Sequence, residues 1–407
     1  MRTFLVCAAL SAVLWPANAR AQTVTLTESA AVEQLGAESP RIQAARAGVD
    51  VARADILAAA RWPNPRATFN REAVAGVAEN MLMVSQVLPI TGRRRLDVSA
   101  ATARVEASSL RADDQIRRIR ADLRLAFTDL WAAQEREREF ARSRDRLAEL
   151  AGILGKREAA GEAAGFDRLR AEREVFDLEA SRAMVATERA QAQAILTSFI
   201  AGPRDAAVIE AVRPAASSAA LPTVDELVTR AEASRGDLVA LARDLDAAAF
   251  AERAAGRRAI PEPEVVAGTK TSNAAGGDTG SIVSVHISLP LFDRARPERA
   301  AAQARGRQAR AETDVLRQAI RAQIAAWRAA VVERRTIAER HRAALDAGTA
   351  QIERIAQVSY DAGERGILEL LDAYRTGSAA RIRQAELDAA VREAEIELEF
   401  VSGWELP

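Results

Sequence analysis

Apolar residues recur along this chain with two different periods. Ile116, Ile119, Leu123, Ala126, Leu130 and Ala133 are spaced by alternating threes and fours, and Leu387, Val391, Ala394 and Leu398 repeat the pattern near the far end. That spacing is the seam of a coiled coil, and its alanines let helices approach closely. Elsewhere the period is two. Val283, Val285, Ile287 and Leu289 alternate with Ile282, Ser284, His286 and Ser288, the mark of a strand with one apolar face. Proline limits each regime: positions 90–202 and 298–406 contain none, so long helices are allowed there, an internal proline costing about 3 kcal/mol.

The same arrangement precedes both proline-free stretches. A Pro-x-Pro (Pro63-Asn64-Pro65, Pro261-Glu262-Pro263) is followed by a Leu-Pro pair (Leu88-Pro89, Leu289-Pro290), which marks an internal repeat of roughly 200 residues. Within it, Thr27 to Arg61 and Thr223 to Arg258 each predict a short helix, a break at Ser39-Pro40 or Arg235-Gly236, and a second helix. Strands are predicted at 66–70 and 81–88 in the first half and at 264–269 and 281–289 in the second, with turn-rich segments 76–80 and 273–280 closing two hairpins. A helix from Arg93 to about Gly152 would run on the order of 90 Å, far more than the width of a compact domain. Breaks at Gly161-Glu162-Ala163-Ala164-Gly165 and Gly363-Glu364-Arg365-Gly366 predict helical hairpin tips. The expected organisation is a leader at 1–21 and two tandem repeats at 22–210 and 211–407.

The leader follows an export grammar: Arg2, an apolar run from Phe4 to Leu14, then Ala17-Asn18-Ala19-Arg20-Ala21, with cleavage expected after Ala21 or, alternatively, after Ala19. The run is too short to span a bilayer as a helix. Cys7, the only cysteine, leaves with it, so the exported fold holds without disulfides. Charge excludes further classes, because 57 basic against 57 acidic residues leave no surplus to drive nucleic-acid binding. No cofactor or metal site is expected. Ala275-Gly276-Gly277-Asp278-Thr279-Gly280 lacks the Gly-Lys-Ser/Thr of a phosphate loop, His286 lies in a strand without an acidic or cysteine neighbour, and His341 lies on a helix between Arg340 and Arg342. Nor does any constellation point to an enzyme.

Four short strands cannot close a barrel, and two lone hairpins leave open edges. Three copies contributing four strands each would close a twelve-stranded barrel with every membrane-embedded backbone group paired, continued by a helical tube. Pattern alone also fits a small soluble sheet capping a coiled-coil rod. The motifs favour the first. Ser85-Gln86-Val87-Leu88-Pro89-Ile90-Thr91-Gly92-Arg93-Arg94, Leu289-Pro290-Leu291-Phe292-Asp293-Arg294 and Trp62-Pro63-Asn64-Pro65 resemble the strand-to-helix junctions of TolC-like outer-membrane efflux channels, particularly the CzcC-like cation-efflux branch. One departure is plain: Ala295-Arg296-Pro297 stands where that branch carries Asn-Gln-Gly. The resemblance covers nearly the whole exported chain. It implies a homotrimeric outer-membrane exit duct, mainly α-helical with a small β part, that works with a periplasmic adaptor and an inner-membrane transporter of RND type and contacts outer-membrane lipid. Heavy-metal cations are the implied cargo, with a drug-efflux or type I secretion duct as the alternative.

The stretch from Tyr360 to Ala373 is similar to the periplasmic entrance of that family. By this resemblance Tyr360 and Arg365 are gate-latch residues with Asp167 as acidic partner, Glu369 and Asp372 form acidic rings at the constriction, and Gly161 and Gly363 mark the tips where the adaptor docks. Helical geometry independently puts Glu369 and Asp372, three apart, on one face, with Leu368 and Leu371 offset toward packing. Such an acidic pair also suits the start of any helix, whose dipole favours negative charge.

Overall fold

The computed structural model of the chain describes residues 23–404 except 162–164, 201–207, 216 and 218. The leader and its cleavage site lie outside the described residues, as does part of the first hairpin tip. Strand β1 (Thr23–Leu26) leads into α1 (Glu28–Gln34), α2 (Pro40–Ala60), the hairpin β2 (Arg66–Val74) and β3 (Val77–Val87), and helices α3 (Arg93–Ala159) and α4 (Gly165–Thr197). After β4 (Val208–Ala211) the order returns: α5 (Val224–Ser234), α6 (Gly236–Arg257), the hairpin β5 (Pro263–Ser272) and β6 (Asp278–Ile287), and α7 (Arg296–Ala344). A π-helical turn at Leu345–Thr349 joins α7 to α8 (Ala350–Asp361), and α9 (Ile367–Ser402) ends the described chain. The π turn, a wider helical turn inserted between two α segments, carries no sequence signal in a run without proline.

Local chemistry explains the boundaries. Thr223 caps α5 reciprocally, its hydroxyl accepting from Glu226 N–H while the Glu226 carboxylate accepts from Thr223 N–H. Pro40 opens α2, where its missing N–H costs nothing. α3 has 67 residues, so it extends about 100 Å and passes straight through Gly152, where the sequence suggested it would end. The seam residues of α3 are buried as expected, with Leu123 and Leu130 fully enclosed alongside Phe127. In α9 the seam is divided: Ala394 and Leu398 are buried, whereas Leu387 and Val391 are half-exposed in the single chain.

The four longer strands form one antiparallel sheet in the order β2-β3-β5-β6, so β3 and β5 join the two halves. Pairing in the first hairpin continues to Val74↔Val77, leaving only Ala75 and Gly76 as the turn, both at positive φ as a type I′ turn demands. The predicted turn at 76–80 was therefore too long. In the second hairpin β6 begins at Asp278, after a 3-10 turn at Ala274–Gly276. One face of the sheet carries Phe69, Leu82, Val84, Val283, Val285 and Ile287, all exposed, with Val283 at 75%. The other carries Arg66, Thr68, Asn70, Ser85, Glu264, Lys270, Ser284 and His286 together with Met81, Met83, Val266, Ile282 and further valines, and is the less exposed of the two in β5. This sheet is amphipathic with its apolar side turned outward.

A second, two-stranded sheet escaped the sequence pattern. β1 and β4 pair in parallel, and buried Gln134 of α3 clamps the outer edge of β4, donating to Ile209 O at 2.6 Å and accepting from Ala211 N–H at 3.0 Å. Four-residue strands are too short to show a period, and the clamp lies far away in sequence.

The strand-to-helix junctions of the two halves share a backbone twist but not a residue. Gly92 before α3 and Ala295 before α7 both adopt left-handed φ, at 75° and 55°. Glycine takes that conformation freely, whereas a Cβ there costs about 1–2 kcal/mol. Nothing surrounds the place where a Cβ on Gly92 would project, so Gly92→Ala should destabilise by about 1 kcal/mol through backbone strain alone. Ala295 instead buries its methyl, so Ala295→Gly should be nearly neutral, strain relief offsetting lost burial. Thermal midpoints of the two variants in detergent check this asymmetry, and equal shifts would contradict it.

Candidate pore and gate site

At the end of the helices remote from the sheet, α3 turns into α4 and α8 into α9. Leu147, Leu150 and Leu154 of α3, Ala171 of α4, Ala356 of α8, and Ile367, Leu370 and Leu371 of α9 form a buried cluster that sets the rotation of α9. Leu368 is exposed, so Ile367 and Leu370 take the packing role expected of it; Leu371 packs as expected. With that face inward, Glu369 and Asp372 are both exposed on one stripe. Arg375, missed by the sequence reading, follows one turn later and reaches to α4, its Nε donating to Glu174 Oε1 at 2.6 Å. The hydrogen bond to Glu174 raises the arginine's pKa, and the charge of Asp372 adds to the effect. No local signal marks this pair, since its members lie in opposite halves of the sequence.

The three expected latch residues are only partly assembled in one chain. Tyr360 is half-buried, and burial followed by the nearby charge of Asp167 pushes its hydroxyl pKa up. Arg365 is exposed, donates its backbone N–H to Ser359 O at 3.2 Å, and makes no ion pair among the described residues. Gly161 and Gly363, at φ 76° and 74°, end α3 and α8 in left-handed turns, with Gly161 N–H on Glu158 O at 2.9 Å and Gly363 N–H on Tyr360 O at 3.0 Å. Both stand at exposed tips with open space where a side chain would be.

Above the tip a buried ionic node ties three helices together. Glu353 of α8 accepts from Arg146 of α3 at 2.7 Å and from Arg381 of α9 at 2.9 Å, and Arg381 also donates to buried Glu139 of α3 at 2.7 Å. Ser143 and Ser378 close the group at 2.8 Å. His341, expected to bind no metal, pairs through Nδ1 with Gln384 at 2.9 Å, and His286 lies 3.4 Å from the Ser284 hydroxyl.

Long helical hairpins run from a sheet with an exposed apolar face to a far tip that carries exposed carboxylates. Comparison with known proteins agrees. Residues 227–403 match the family model for outer membrane efflux proteins. The whole chain has the fold of the TolC-like channels. It is similar to a membrane protein from Pseudomonas aeruginosa at 21% identity and TM-score 0.77, over 99% of each chain. It also resembles the outer membrane protein VceC of Vibrio cholerae at 18% identity and TM-score 0.75, over 93% of this chain and 97% of that one. CusC, whose structures concern transmembrane channel formation, aligns at 18% identity and TM-score 0.73 over 92% and 91%. No curated protein matches the chain in sequence. The second half thus matches the outer membrane efflux protein model, and the whole chain shares the fold of these channel structures.

Proposed function

We propose that three copies of this chain form the passive exit duct of a tripartite efflux pump, and that the duct exports heavy-metal cations. The observation that carries the channel is the sheet. Its strands of 9 to 11 residues match the length that crosses a bilayer, their apolar face is exposed, and β2 and β6 present unpaired edges. Edge-to-edge closure of three sheets satisfies every backbone group, which a soluble rod cap does not require. Exposed apolar residues on α4 (Phe166, Leu169, Phe176, Met184) and α8 (Ile352, Ile355, Val358) supply seams for the helical tube. Each half, 22–210 and 211–407, serves as one repeat of this architecture.

Threefold symmetry turns Glu369 and Asp372 into six carboxylates around the pore, a field that concentrates cations and disfavours anions. That field and the CzcC-like junction motifs support metal cations as cargo, while Ala295-Arg296-Pro297 departs from that branch. Tyr360 and Arg365 act as the gate latch with Asp167 as acidic partner, and Arg365, which makes no ion pair among the described residues, reaches across to a neighbouring copy. Gly161 and Gly363 receive the adaptor, and an RND-type transporter supplies the energy. Tyr360→Phe with Arg365→Ser should raise the conductance of the resting channel in a planar bilayer; an unchanged conductance places the latch elsewhere. Cargo is tested by growing a deletion strain on metal salts and on drugs in parallel. Sensitivity to drugs alone would overturn the metal assignment, and the absence of any conducting trimer would overturn the duct.

A further inference from the structure

Where the sheet meets the helices, exposed apolar side chains give way within a few residues to exposed arginines. Trp62, just ahead of β2, is half-exposed, and Phe292, just beyond β6, is 99% exposed. The register brings both near one level: Pro263 pairs with Ile287, Leu88 N–H donates to Pro263 O at 2.9 Å, and Gln86 Nε2 donates to Pro63 O at 3.0 Å. Because β2 and β6 are opposite edges of the sheet, closure brings the Trp62 corner of one copy beside the Phe292 corner of the next.

Arg61, Arg294 and Arg296 stand at these corners, exposed and without an ion pair among the described residues. Arg94 lies 5.5 Å above the Trp62 ring. Of the nearby acids, Glu262 engages Arg93 and the Thr91 hydroxyl, Glu298 engages Arg258, Asp97 lies close to Arg93 and Arg258, and Asp293 accepts from the Ala295 N–H at 3.0 Å. A surplus of positive charge remains. Helix stability does not account for it, since α3 opens on Arg93-Arg94-Arg95 with no acid in its first turn, the arrangement a helix dipole disfavours. Hydrocarbon, then aromatic, then cation is the order of groups met on leaving a bilayer.

We propose that this collar binds the headgroups of anionic phospholipids in the leaflet facing the helices. Guanidinium groups pair bidentately with phosphodiester oxygens, and each cation near an anionic surface contributes about 1 kcal/mol, close to fivefold in binding. The collar lies at the helix end of the sheet, opposite the Ala75-Gly76 turn, so the anionic lipid it meets belongs to the periplasmic leaflet and not to the outer one. Its effect is to fix the depth of the barrel, with aromatics seated at the glycerol level and arginines on phosphate. The inference rests on the outer-membrane channel described above.

The test uses the full chain purified in detergent, mixed separately with dioleoylphosphatidylglycerol, dioleoylphosphatidylcholine and lipid A, with bound lipid counted by native mass spectrometry. Wild type should prefer phosphatidylglycerol over phosphatidylcholine, and R61Q/R294Q/R296Q should lose that preference by about a hundredfold, at fivefold per charge. R61K/R294K/R296K should keep most of it. If the glutamine variant fails to fold, wild type alone still decides, because retention of phosphatidylglycerol must fall as salt rises while that of phosphatidylcholine does not. Equal retention of the two lipids by wild type, undiminished phosphatidylglycerol binding by the glutamine variant, or a preference for lipid A overturns the proposal. Bilayer conductance of the same samples separates the two ideas: conduction without lipid preference defeats only the collar, and lipid preference without conduction defeats the channel.

Discussion

Replacing Glu395 with alanine is expected to cost about 3–5 kcal/mol of stability, the range for a buried ion pair that loses one partner. Its side chain is only 2% exposed and accepts from Arg335 at 2.7 and 3.0 Å and from Arg392 at 3.0 Å. Arg392 reaches on to Glu28 at 2.7 Å, and Arg124 links Glu28 to Glu399, so the network binds α1, α3, α7 and α9. Without Glu395, two poorly solvated arginines share what is left. Thermal unfolding in detergent reads the loss, which should be smaller for Glu395→Gln; a Glu395→Ala variant that melts with wild type would show the pair to be dispensable. The same network sets an acid limit. Burial pushes the Glu28 carboxyl up, but hydrogen bonds and charge from Arg392 and Arg124 outweigh it and leave the pKa below the usual 4.5. A carboxyl lowered on folding contributes stability above its unfolded pKa and loses it as pH falls through the folded one. Melting of wild type should therefore decline more steeply with acid than that of Glu28→Gln.

The second large effect concerns conduction. Neutralising Glu369 and Asp372 together, as Glu369→Gln with Asp372→Asn, should reduce the cation-over-anion permeability ratio of the channel in a planar bilayer by about tenfold or more, equivalent to roughly 1.4 kcal/mol of lost electrostatic preference. Both side chains are exposed, so the fold should tolerate the change. Arg375 tempers the expectation in a checkable way. It lies one turn from Asp372 and is held by Glu174, so Arg375→Gln should shift selectivity the other way, toward cations. A permeability ratio indifferent to all three substitutions would remove these residues from the pore.

Much of the molecule was legible in advance because its signals are local. Proline spacing and the three-four period gave the long helices, and alternation gave the strands, since both depend only on which residues stand a few positions apart. The tip stripe was legible for the same reason, helical spacing placing Glu369 and Asp372 together. The signal failed where segments were short or flexible in chemistry. β1 and β4 are too brief for a period, the Ala75-Gly76 turn is tighter than its glycine and asparagine suggested, and Leu368 faces outward because Ile367 and Leu370 reach the core first.

By itself, then, the sequence determined the neutral charge balance, the repeated order of elements, and the presence of the long helices and the hairpins, the last two following from backbone rules acting over one or two turns. Only the tertiary structure decided what those elements meet. Pairing of β3 with β5 fuses the halves into one sheet and turns its apolar face outward. Arg146 finds Glu353 across 207 positions and Arg392 finds Glu28 across 364, because packed helices bring residues remote in sequence side by side. The arginines beside Trp62 and Phe292, without an ion pair among the described residues, stand out for the same reason. A charge counts as surplus only when every partner within reach is known, and reach is a property of the fold.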